Sequence, residues 1–70
     1  MLKKGKYLHY KGKEYELIGV ALDEKTHEEL VVYRALYGEN QLWVRPLKIF
    51  TETVEFDGKE VPRFKYVGNQ

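Results

Sequence analysis

Leu30-Val31-Val32-Tyr33-Arg34-Ala35-Leu36-Tyr37 is the stretch on which the fold turns. Val31, Tyr33, Ala35 and Tyr37 alternate with Leu30, Val32, Arg34 and Leu36. β-Branched and aromatic side chains fill it, as a half-buried pleated surface prefers. A helix over 28–36 is tolerated by Glu28, Glu29, Ala35 and Leu36. The Val31-Val32-Tyr33 block opposes it, because β-branched side chains are stiff at χ1 and lose freedom against a helical turn. The segment is therefore read as a strand. Both of its faces are largely apolar, so a central position is expected.

Upstream, Lys6-Tyr7-Leu8-His9-Tyr10 alternates and reads as a strand, and Lys11-Gly12-Lys13 reads as a turn. In the run from Glu14 to Leu22 the alternation changes phase. Tyr15 and Leu17 share one face, while Ile18, Val20 and Leu22 share the other. Such a change beside Gly19 marks a bulge or sharp bend, placed between Leu17 and Gly19. Asp23 to Glu28 is a polar loop.

Downstream, Gly38-Glu39-Asn40 is a turn and Gln41 to Arg45 a strand that Pro46 ends. Pro46 to Phe50 suits one 3₁₀ turn. Thr51 to Phe56 is a strand, and Asp57-Gly58 is a two-residue hairpin signal. Its register opposes Phe56 to Lys59, Glu55 to Glu60 and Val54 to Val61. The last strand, Glu60 to Val67, contains Pro62 and belongs on an edge.

Five or six short strands with almost no helical period describe an all-β chain. The order fits a small SH3-like barrel with one 3₁₀ turn, formed as a single domain over residues 3–68. An OB-like barrel is the alternative, but it ordinarily uses a helix between its third and fourth strands.

The chain has 70 residues, 33% charged, with a net charge of +1. That length excludes two domains or a large cofactor fold. No apolar run approaches the ~20 residues of a membrane span, and no signal-peptide pattern appears, so a cytoplasmic chain is expected. Cysteine is absent, which excludes a disulfide scaffold. A domain this short buries only about 60% of its unfolded surface. Six Tyr, three Phe and one Trp supply the large side chains that compensate.

The blocks Gly5 to Gly12, Leu30 to Gly38, Leu42-Trp43-Val44-Arg45-Pro46 with Phe50, and Val61-Pro62-Arg63-Phe64 resemble a small bacterial family catalogued as DUF1653. The resemblance spans residues 5 to 66. It implies an SH3-type fold and no mechanism.

Chemistry is sparse. Serine is absent along with cysteine, so the commonest nucleophiles are missing. His9 and His27 lack the spacing of a zinc site, and no metal or cofactor is expected. His9 reads as a strand residue bonded to backbone. A small hydrolase or enzyme fragment using His9, Glu52 and Arg45 is an alternative, and it requires His9 and Arg45 to converge on one site. Residues 1–13 carry five Lys and no acid, and residues 14–29 carry six acids and one Lys. Nucleic-acid contact through Lys3, Lys4, Lys6, Lys11 and Lys13 is a second alternative, but a near-zero net charge gives little long-range steering.

The tyrosines exceed what so small an interior holds with every hydroxyl bonded. Some must line the surface. If Leu42 and Val44 face the core, Trp43 and Arg45 lie together outside as a patch. In a competing arrangement Trp43 caps one end of the barrel and Arg45 pairs with Glu52 or Glu55. The principal expectation is a non-catalytic binding or interaction module whose groove involves Tyr10, Tyr33, Trp43 and Arg45. Its partner would be a protein, a peptide or a small ligand rather than a membrane. The chain itself would be a monomer or a face-packed dimer, because Pro62 blunts the last strand.

Overall fold

The computed structural model describes residues 2–68. Seven strands and one helical turn follow in the order β1 Gly5–His9, β2 Glu14–Leu22, β3 Glu29–Ala35, β4 Leu42–Pro46, α1 Leu47–Phe50, β5 Thr53–Phe56, β6 Lys59–Pro62 and β7 Phe64–Gly68. Five of them form one antiparallel sheet in the order β4-β3-β2-β1-β7, and β5 and β6 form a separate hairpin. The fold is small and all-β.

The decisive stretch is a strand with partners on both sides, β2 and β4. Its residues Val31, Tyr33 and Ala35 are buried. It ends at Ala35, where Gly38 and Asn40 adopt left-handed backbone (φ 60 and 56) and turn the chain. Asn40 secures the turn by donating from Nδ2 to the Ala35 carbonyl at 2.9 Å.

The phase change in β2 is a register shift between Leu17 and Gly19. Tyr15 opposes Ala35 and Leu17 opposes Tyr33; past the shift, Val20 opposes Val31. One extra residue thus keeps Tyr15, Leu17 and Val20 on the side of the core and bends the long strand. The Asp57-Gly58 hairpin has the expected register, with Glu55 opposite Glu60. Both turn residues have positive φ (53 and 75), as a type I′ turn requires.

Two details differ from expectation. The turn after Pro46 is α-type, not 3₁₀: the Thr51 amide reaches back four residues to the Leu47 carbonyl at 3.0 Å. The Thr51 hydroxyl donates to the same carbonyl at 2.9 Å, so a side chain helps to close the wider ring. The expected last strand is two strands, split at Arg63. There the backbone exchanges partners: the Arg63 amide donates to Glu52 and its carbonyl accepts from Tyr10, both at 3.0 Å. Pro62, which has no amide to donate, sits at the break.

The core is aromatic. Tyr7, Leu17, Val31, Tyr33, Phe50 and Phe64 form one buried cluster. Phe50, delivered by α1, stacks on Phe64 with centroids 4.1 Å apart. Tyr7 and Tyr33 meet Phe50 edge-on at 5.5 and 5.4 Å. Each such contact is worth about 0.5–1.5 kcal/mol beyond burial, which suits a chain with so little interior.

Candidate functional site

Phe64 opens β7 directly after the Arg63 break, and it is the hub of the site. Around its ring stand Tyr15 and Tyr33, each edge-on at 5.5 Å, and His9 at 4.9 Å. The Arg45 guanidinium lies over the same ring at 5.8 Å. His9 and Arg45 therefore converge rather than occupying opposite sides.

Arg45 comes from β4, whose phase is the reverse of the expected one. Trp43 lies opposite Tyr33, and Arg45 opposite Val31. Directly opposed residues project to the same face of a sheet. Trp43 and Arg45 thus share the face of buried Tyr33 and Val31, while Leu42 and Val44 stand on the other face at 52% and 61% exposure. In Leu-Trp-Val-Arg one phase is apolar and the other pairs a large aromatic ring with Arg, which points the alternation the wrong way, so burial of the neighbouring strand decides.

The four groove residues expected from the sequence are not together. Tyr33 is buried at 4% exposure, and only its hydroxyl contributes, accepting from Arg45 Nε at 3.2 Å. Trp43 borders it, 51% exposed. Tyr10 stands apart, tilted over His9 at 4.6 Å and edge-on to Phe56 at 5.5 Å. There it lines an apolar cleft of about 370 Å³ with Leu8, Phe56, Val61 and Pro62. Arg45 does not pair with Glu52 or Glu55: Glu52 holds Arg63 at 2.5 Å. Among the described residues no carboxylate pairs with Arg45.

Electrostatics follow from this arrangement. His9 accepts the Lys11 amide at Nδ1, 3.1 Å away, which requires that nitrogen to be unprotonated. Burial holds its pKa below the ordinary 6.5, and the positive charges of Arg45, Arg63 and Lys11 push the same way. The Arg63 Nε is buried with no hydrogen-bond partner among the described residues. Tyr15 and Tyr37 share a hydroxyl–hydroxyl hydrogen bond at 2.5 Å. Burial first, and then that bond, raise the Tyr15 pKa to about 12. The Tyr15–Tyr37 pair and the Phe64 platform were not singled out from the sequence. Their spacing of 22 residues (Tyr15 to Tyr37) gave no local signal.

The lysines of the first turn and strand are dispersed. Lys6 pairs with Glu14 at 3.6 Å. Lys3, Lys11 and Lys13 lie over the rings of Tyr66, Tyr10 and Tyr37. Among the described residues no three metal-binding side chains cluster. No helix among them is long and apolar enough to cross a membrane.

Comparison with known proteins bears on the whole chain rather than on the site. No curated protein matches. A crystal structure of a DUF1653 protein from Bordetella bronchiseptica is 39% identical, with a TM-score of 0.91, over 99% of this chain and 91% of that one. The family model described as "Protein of unknown function (DUF1653)" matches residues 5–66. With sequence and structure in agreement over nearly its full length, the chain belongs to the DUF1653 family.

Proposed function

We propose that this protein is a non-catalytic binding module that takes an anionic group, a carboxylate above all, at Arg45, with an adjoining planar or apolar part of the ligand on Trp43. The observation that carries the reading is the state of Arg45. It is partly buried, tethered through Nε, and without a described carboxylate partner. A charge withdrawn from water in this way is costly unless an opposite charge reaches it. Its planar fork suits a carboxylate. Arg63 and Lys11 add positive potential on the His9 side.

A methylated cation, the other ligand that surface aromatics suggest, is disfavoured by the Arg45 charge beside Trp43. Binding is favoured over hydrolysis because His9 already spends Nδ1 on the Lys11 amide and Glu52 is occupied by Arg63. The proposal includes an SH3-like barrel, supported by the bent β2 and by β5 and β6 following the helical turn. It also includes a cytoplasmic setting.

Trp43 is the chain's only tryptophan, so its fluorescence reports the site. Benzoate carries a carboxylate and a ring; benzamide has the same shape without the charge. Saturable quenching by benzoate, at least about tenfold weaker for benzamide and for Arg45→Gln, is the expected result. Equal response to benzoate and benzamide overturns the reading.

A further inference from the structure

We propose that the β4 edge pairs with the β4 edge of a second copy of this chain, antiparallel and centred on Trp43. This inference goes beyond the ligand site and does not depend on it.

The backbone groups available at that edge follow from the ladder. In an antiparallel pair, opposed residues alternate between those that exchange both hydrogen bonds and those that exchange none. The Ala35 amide donates to the Gln41 carbonyl at 2.9 Å. Two steps along in each strand, Tyr33 and Trp43 oppose one another, and two further steps oppose Val31 to Arg45. These are the bonded pairs. Leu42 and Val44 therefore turn their amides and carbonyls away from β3. No strand of the described residues lies beyond β4.

The edge is protected at one end only. Edge strands are normally blunted by charge, proline or a bulge. The β7 edge carries Lys65, and the hairpin carries Glu55, Glu60 and Pro62. β4 has Arg45 and Pro46 at its end, while residues 41–44 before them are Gln-Leu-Trp-Val, with no charge. Leu42, Trp43 and Val44 are 52%, 51% and 61% exposed.

The two-fold register is then selected by the outward groups. Centred on Trp43, Leu42 bonds Val44 of the other copy and Val44 bonds its Leu42. Every outward amide and carbonyl of the two residues finds a partner. Centred on Val44, Leu42 meets Pro46, which has no amide. Centred on Leu42, Val44 meets Asn40, whose amide is committed to the Tyr37 carbonyl and whose backbone is left-handed. In the favoured register the two Trp43 rings face each other, Leu42 faces Val44 on the opposite side, and Arg45 faces Gln41 rather than another Arg45. No like charges are opposed.

The contact is small, so the dimer is weak and concentration-dependent. Sedimentation equilibrium from about 10 μM to about 1 mM tests it, with amide exchange read by NMR on the same samples. The expected result is a rise from the 8.3 kDa monomer toward twice that mass. The amides of Leu42 and Val44 should become protected on concentrating, while those of Trp43 and Arg45 are protected throughout. Val44→Pro removes an outward donor only, and Leu42→Lys adds charge; each should abolish the mass rise with the fold intact by circular dichroism. A constant monomer mass overturns the proposal. So does a dimer that both variants form equally well, or protection of Leu42 and Val44 that appears only with an added extended peptide.

Discussion

Arg45 Nε donates to the Tyr33 hydroxyl at 3.2 Å, so a charge near the surface is anchored to a residue of the core. The bond fixes the guanidinium across the Phe64 face, and among the described residues no side-chain hydrogen bond engages its two terminal nitrogens. It also satisfies a phenol whose ring is buried. Tyr33→Phe should cost about 1.5–3 kcal/mol in urea unfolding, since it removes one bond to a charged donor. Probe binding should weaken several-fold while the far-ultraviolet circular dichroism stays the same. A variant with unchanged binding would show that the tether does not organise the site.

His9 sets an acid limit. Its folded pKa lies below 6.5, from burial and from Arg45, Arg63 and Lys11. The unfolded chain therefore binds the proton more readily, and stability rises with pH across this window. The contribution is fully present above pH 6.5 and is lost as pH falls through that value toward the lower folded one. Protonation also removes the Nδ1 acceptor of the Lys11 amide. The drop in melting temperature between about pH 7.5 and 5.5 should be smaller for His9→Asn than for the parent chain. Equal drops would remove His9 from the account.

Tyr15 sets an alkaline one. Its pKa is about 12, raised by burial and by the Tyr37 hydroxyl, against an ordinary 10.0. Here the neutral form is the one the fold favours. The stabilisation is complete below pH 10.0 and is lost as pH rises toward about 12. Burial raises the Tyr7 pKa as well, so phenolate absorbance should show late-titrating tyrosines in both the parent chain and Tyr7→Phe, and adding Tyr37→Phe to Tyr7→Phe should bring the Tyr15 group down. A late group that persists unchanged when both Tyr7 and Tyr37 are Phe would assign the Tyr15 effect to burial alone.

Glu55 and Glu60 oppose each other in the exposed hairpin. Like charges directly across a ladder are mildly destabilising, and opposite charges stabilise by a few tenths to about 1 kcal/mol. Glu55→Lys should raise the urea midpoint, and the gain should shrink in high salt. A lower midpoint at low salt would contradict the hairpin register.

Local signals carried most of the architecture. The β2 bulge was legible because Tyr15, Leu17 and Val20 break a two-residue period beside Gly19. The Asp57-Gly58 hairpin was legible because its residues tolerate positive φ. The phase of β4 was not, because Arg45 beside Trp43 argued for an outward face, and only their pairing with buried Val31 and Tyr33 shows that this face is the inner one. The Arg63 break was hidden for a similar reason: it depends on Glu52 and Tyr10, far along the chain. The candidate site inherits both gaps. Arg45 and Trp43 were identified but assigned to the wrong face, Tyr10 was grouped with residues it does not meet, and the Phe64 hub was unmarked.

The proposed function rests on Arg45 receiving an anionic group beside Trp43. Nitrogen–proton NMR of the Arg45 Nε–H and the Trp43 indole N–H during a benzoate titration tests it most directly. Saturable shifts are expected at those two groups, absent with benzamide and lost in Arg45→Gln. Shifts confined to lysine-rich residues 3–13, or none at either side chain, would contradict it.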